Sequence, residues 1–184
     1  IGISGFMFYA ILAVGLLLVQ YFIGPKLIEM SMRVKYVSEE EFPELHQMVT
    51  ELAQLAGIPK PKVGISEIPI PNAFAFGRWS KDGRVCITKQ IVNLLNKEEL
   101  RAVLGHEISH LKHKDVATIT MLSVIPLILW YISWNLMFSR RRDGEDNLAY
   151  LGLLALILYF VTNLLVLYGS RIREYYADLG SVRL

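Results

Sequence analysis

The sequence predicts a mixed fold: a small α+β domain in water combined with transmembrane α-helices. Three observations carry this. Of the 184 residues, 53% are hydrophobic and the mean hydropathy is +0.39, high for a purely soluble chain. The apolar residues gather into three uncharged runs, Ile1–Gly24, Val116–Phe138 and Leu148–Ser170, while charge clusters elsewhere. Between the first two runs lie amphipathic helix signals and short β-prone segments. The net charge of +2 gives no reason to expect nucleic acid as a partner. A single cysteine, Cys86, excludes an internal disulfide and a cysteine-rich zinc site.

Taken in order, residues 1–24 are long enough to cross a bilayer, which needs about 20 residues. They lack a basic leader and exceed a signal-peptide core of roughly 7–15 residues, so a transmembrane helix is expected. Pro25 and Lys26 mark its exit, with Leu27–Met32 a short interfacial turn. Residues 25–115 then form the water-facing domain. Ser38 opens a helix with acidic residues in its first turn and Gly57 near its end. His46 on it reads as a packed or surface side chain. Lys62–Ser66 is a strand after the Pro-Lys-Pro breaker, and Asn72–Trp79 with Arg84–Thr88 make a hairpin around Asp82-Gly83.

Residues 116–138 and 148–170 are runs of 23 uncharged residues each, joined by the polar loop 139–147. Their length and all-round apolarity favour membrane spans over a buried soluble hairpin, with Pro126 tolerated as a kink. Three spans would leave 25–115 and 171–184 on one side. Near the membrane ends that side offers eight basic residues (Lys26, Arg33, Lys35, Lys112, Lys114, Arg171, Arg173, Arg183), against three (Arg140, Arg141, Arg142) in the loop. The bias places the water-facing domain in the cytoplasm. The alternative is a hairpin that only dips into the membrane. The chain begins at Ile1 rather than methionine and stops soon after its last motif, so it is expected to be an excerpt of a longer protein.

The chemistry centres on Asn96–Asp115, NKEELRAVLGHEISHLKHKD. Asn96 and Glu99 form a capping-box pair, no proline interrupts Lys97–Lys114, and Leu100, Val103, Leu104, Ile108 and Leu111 recur at helical spacing. On that helix His106 and His110 lie one turn apart on one face and can share a metal, with Glu107 beside them. A catalytic zinc needs a third protein ligand. Position 116, where one HExxH pattern would put a histidine, is valine. His113 and a distant carboxylate remain. Glu174 and Asp178 are i and i+4 on the expected same side, so one could bind metal while the other supports a histidine.

GHEISH with Asp115 five residues past the second histidine, then SRIREYYAD after a hydrophobic hairpin, resembles the HtpX family. These are membrane zinc metalloproteases of the gluzincin type, related to CAAX prenyl endopeptidases. The resemblance implies an α+β zincin-like metalloprotease domain combined with transmembrane α-helices. It implies one Zn2+ per chain held by His106, His110 and Glu174, with Glu107 as general base and Asp178 orienting a ligand histidine. The PNAFAFG stretch resembles the family's edge strand. Substrate would therefore lie along Asn72, Ala73, Phe74, Ala75 and Phe76, adding a strand through its backbone. The implied partners are protein or peptide substrates, unfolded membrane proteins above all, and the lipid bilayer. The implied setting is a multi-pass protein of the cell membrane, its active site facing the cytoplasm, in quality control of damaged or misfolded membrane proteins. Family members usually have an earlier span and more chain after the third ligand. Oxyanion-stabilising residues would then lie beyond Leu184, with Arg173, Tyr175 and Tyr176 the candidates within this sequence. An intramembrane protease and a catalytically silent scaffold are the rival readings. Charges at Lys97–Arg101 and Lys112–Asp115 bracket the motif and argue against the first.

Overall fold

The computed structural model describes residues 3–138 and 147–183. The basic cluster Arg140–Arg142 and the rest of the loop up to residue 146 lie outside the described residues. Within them the chain forms two compact units. One comprises the stretch up to Gln20 together with Ile119–Ser170; the other comprises Tyr21–Thr118 and the segment from Arg171 onward.

The first helix, α1 (Ile3–Ser31), does not stop at Pro25. The proline sits inside it, as proline often does in apolar helices, and the expected turn at Leu27–Met32 is helical down to Ser31. It ends where Arg33 takes a left-handed conformation (φ 48°). The next run also departs from a single kinked helix. It divides into α5 (Asp115–Leu122) and α6 (Val124–Phe138) at Ser123. Pro126 explains the position: it has no N–H for the Leu122 carbonyl four residues back, and its ring crowds that carbonyl. The third run and the segment expected as a separate helix are one element, α7 (Asn147–Arg183).

Three segments are long and apolar enough to cross a membrane: Val14–Ser31, Ala117–Phe138 and Ala149–Arg183. A hairpin buried in a soluble core finds no cover among the described residues, since only 11% of each of the latter two windows is buried. Inside the apolar unit α6 and α7 pack where Gly152 faces Met137; a Cβ there would come within 2.7 Å of the Met137 side chain. Further along the same two helices Trp130 and Tyr159 meet, ring centroids 5.2 Å apart and planes tilted by 51°.

The second unit holds a four-stranded sheet in the order β1-β2-β4-β3, from β1 (Val34–Tyr36), β2 (Lys62–Ser66), β3 (Ala73–Phe76) and β4 (Arg84–Thr88). β2 and β4 run parallel, while β1 and β3 pair antiparallel on either side. The expected hairpin therefore forms, and β3 is an edge strand. Its connection is longer than an Asp-Gly turn. Gly83 is extended (φ −67°, ψ 141°), whereas Gly77 takes φ 154° against the Asp82 backbone, where a Cβ would collide. Arg78 closes the loop on Asp82 at 2.7 Å. The helix expected from Ser38 begins at Pro43, as α2 (Pro43–Ala56). Ser38 and Glu41 satisfy each other in a preceding turn, and Pro43 suits the first helical position because it lacks an N–H. A short α3 (Lys89–Leu94), capped by Thr88, leads into α4 (Lys97–His113).

The core lies between the sheet and the helices. Val49 and Leu52 of α2, Val85 and Ile87 of β4, and Leu104 and Ile108 of α4 are each at most 1% exposed. This fixes the roll of α4. With Leu100, Leu104, Ile108 and Leu111 facing the core, the 106/107/110 face is left for other work.

Candidate metal centre

The site starts from how α4 begins and ends. Asn96 accepts from Glu99 N at 3.0 Å while Glu99 accepts from Asn96 N at 2.9 Å, the reciprocal capping box expected from the sequence. At the other end Lys114 is left-handed (φ 56°), so α4 stops at His113 and Asp115 opens α5. That bend sends the Asp115 carboxylate back to His110.

α7 supplies the other half through close packing. Gly105 faces Ser181, and Gly180 faces Ser109, so small residues let the two backbones approach. Ala177 at the crossing is fully buried, and Ser181 Oγ donates to Ala102 O at 2.7 Å. Glu174 and Asp178 then reach the histidine face. His106 Nδ1 donates to Asp178 Oδ1 at 2.8 Å, and His110 Nδ1 donates to Asp115 Oδ2 at 2.7 Å. Each ring thereby turns its Nε2 lone pair inward. The two Nε2 atoms stand 3.1 Å apart, and Glu174 Oε2 is 3.4 and 3.6 Å from them.

With both Nδ1 atoms donating, the three inner atoms form a set of acceptors that one cation can bridge. Ligand atoms about 2.0–2.1 Å from one tetrahedral zinc stand roughly 3.4 Å apart. His106, His110 and Glu174 fit that spacing, and they are the group among the described residues whose ligand atoms converge in this way.

Glu107 lies beside this triangle. Its Oε2 accepts from Ala75 N of β3 at 2.8 Å. Burial pushes its carboxyl above the usual carboxylate range, against the pull of His110, His106 and the Ala75 amide. The edge strand thus meets the site through its backbone. Thr88 N donates to Asn72 O, so residues 72, 74 and 76 point their backbone groups at β4. Those of Ala73 and Ala75 face outward. The side chains of both alanines pack toward the core, while Phe74 and Phe76 stack on the other face with centroids 5.9 Å apart. One outward donor expected to be open, that of Ala75, is already engaged by Glu107.

The remaining candidates fall elsewhere. His113 is near Ser109 Oγ (3.4 Å) and Tyr176, outside the triangle. His46 bonds the Val37 carbonyl at 3.0 Å. Tyr175 is exposed, and Arg173 is committed to Asp115 at 2.7 Å. The roles of Asp115 toward His110 and of Arg173 toward Asp115 are absent from the sequence reading. The signal for the first was an acidic residue two positions past the end of α4.

Comparison with known proteins gives the family of the chain. Residues 39–184 match the profile of Peptidase family M48. The chain is 59% identical to the Protease HtpX homolog of Methanothermobacter thermautotrophicus over 184 residues, covering 100% of this chain and 70% of that one. It is 38% identical to the Protease HtpX homolog of Thermoplasma volcanium over 181 residues, covering 98% of this chain and 58% of that one. Among solved structures it resembles Ste24p of S. mikatae, with a TM-score of 0.65 at 17% identity, covering 97% of this chain and 48% of that one. The fold is therefore Ste24p-like.

Proposed function

The chain belongs to Peptidase family M48, and from that premise we propose that it is the catalytic part of a membrane-bound, zinc-dependent endopeptidase. The observation that carries the reading is the convergence of His106 Nε2, His110 Nε2 and Glu174 Oε2, with both Nδ1 atoms held by carboxylates. Zinc bound there would supply a Lewis acid that polarises a peptide carbonyl and acidifies water. The protein's own groups do the rest. Glu107 takes a proton from the attacking water, then delivers it to the departing amine. His106 and His110 are held in one tautomer and one orientation. A peptide lying along β3 uses the outward N–H and carbonyl of Ala73 and the outward carbonyl of Ala75, the Ala75 N–H being held by Glu107, and so runs next to Glu107. Recognition by backbone suits unfolded proteins of many sequences, in keeping with quality control of membrane proteins. The three apolar segments and the excess of basic residues on the domain's side support a multi-pass protein with the site at the cytoplasmic surface. An intramembrane site is disfavoured, because α4 is not among the apolar spans.

The test is zinc content beside cleavage of casein by the purified chain in detergent. Wild type should carry one zinc and cleave. Glu107→Gln should keep zinc and lose cleavage by about 100-fold or more, because the amide retains shape without basicity. His110→Ala should lose the metal. A wild type that binds no zinc sinks the reading. One that binds zinc but leaves casein intact returns it to the silent scaffold.

A further inference from the structure

Each ligand histidine is steered by a carboxylate, yet the two carboxylates are themselves held differently. Asp178 comes directly from α7. Asp115 comes from α5, is only 7% exposed, and uses both oxygens: Oδ2 accepts from His110 Nδ1 at 2.7 Å and Oδ1 accepts from Arg173 Nη1 at 2.7 Å. A buried carboxylate is tolerated only when paired and hydrogen-bonded. Arg173 is the partner on its far side. The same Nη1 lies 3.4 Å from the carbonyl of His113, the last residue of α4.

We propose that Arg173 is a positioning residue for the metal centre, acting through Asp115 on His110. It precedes Glu174 in the chain, so one turn and a half of α7 carries three linked contributions. Arg173 sets the His110 ring by way of Asp115, Glu174 offers the third ligand atom, and Asp178 sets the His106 ring. Both imidazoles thus take their orientation from α7, and a shift of that helix displaces ligand and orienters together. The pairing also removes Arg173 from the role of an oxyanion-stabilising group, since its guanidinium faces Asp115. The inference rests on the zinc reading above and deepens it.

The experiment measures zinc affinity by chelator competition on the full chain in detergent, with the melting temperature of the metal-free protein and kcat and KM alongside. Arg173→Met should weaken zinc binding roughly 10–100-fold, the usual cost of losing a residue that orients a metal ligand. Arg173→Lys should recover part of it, because an ammonium can still donate to Asp115. Asp115→Asn should weaken zinc similarly, and the Arg173→Met, Asp115→Asn double variant should bind no worse than the weaker single. If Arg173→Met does not fold, Arg173→Gln and Arg173→Lys carry the test, with affinity expected to fall from Arg to Lys to Gln. Equal zinc affinity across the folded variants overturns the proposal, as does strict additivity in the double. Unchanged zinc affinity with a lower kcat at constant KM also overturns it, because Arg173 would then act on the reaction itself. Failure of the wild type to bind zinc is a different result and removes the underlying reading.

Discussion

Gly180→Ala is the smallest change that should disturb the site without touching any group in it. An added Cβ would lie 2.9 Å from Ser109 Cβ and would overlap Ser109 Oγ outright. Carbon atoms at optimal contact stand about 3.5–4.0 Å apart, so the helices must part by roughly 1 Å. Turning the Ser109 hydroxyl aside would not relieve the contact with its Cβ, whose place is fixed by the backbone of α4. Overpacking of this kind costs about 1–3 kcal/mol. Replacing a helical glycine by alanine returns roughly 1 kcal/mol. The net loss of stability is therefore small, about 0–2 kcal/mol by difference. The metal site is less forgiving. Moving α7 by roughly 1 Å would stretch the 2.8 Å Asp178–His106 bond beyond hydrogen-bonding range and carry Glu174 away with it. Zinc affinity should fall about 10-fold or more, as for loss of an orienting partner, while the melting temperature of the metal-free protein changes little. Ser109→Gly combined with Gly180→Ala reopens the space and should restore binding. Chelator competition and thermal melts on the three proteins decide the matter. A folded Gly180→Ala variant with wild-type zinc affinity would refute the claim that this crossing sets the third ligand.

Two further outcomes are expected. Ala75→Pro removes the donor to Glu107 without deleting a bond to β4, so zinc content should hold while cleavage falls about 10-fold or more, the scale of a hydrogen bond to a charged group. Undiminished cleavage by a folded, zinc-loaded variant, with melting checked in parallel, would show that the Ala75 donor does not serve Glu107 in the reaction. Membrane orientation can be read by impermeant thiol labelling of intact cells, and Cys86 should stay silent because burial pushes its thiol up to about 12. A cysteine at Lys81 should react only after the membrane is opened, whereas one at Gly144 should react at once; the reverse pattern would invert the topology.

What was legible in the sequence was local. The capping box, the apolar stripe of α4 and the i,i+4 histidines all lie within one helix, where spacing fixes direction. The apolar runs gave the long helices, but their limits depended on single residues whose effect is contextual. Pro25 is absorbed into α1, whereas Pro126 breaks its helix at the carbonyl it cannot serve. β1 has three residues and becomes a strand because β2 offers it partners. α3 draws its cap from Thr88, a residue that reads as the end of a strand.

The division of labour between Glu174 and Asp178 shows where spacing stops being informative. As i and i+4 residues they share a face, and that alone leaves open which carboxylate approaches the metal position. Docking decides it. The shorter Asp178 side chain ends on the outer nitrogen of His106, while the longer Glu174 reaches the inner edge shared by both rings. The docking in turn depends on Gly105, Ser109, Gly180 and Ser181, which look like ordinary helix residues until the two helices are brought together. Asp115 and Arg173 are separated by 58 residues, so no periodicity connects them. Long-range pairs of this sort follow from the packing of small residues, and the chemistry they support is hidden from any reading confined to one segment.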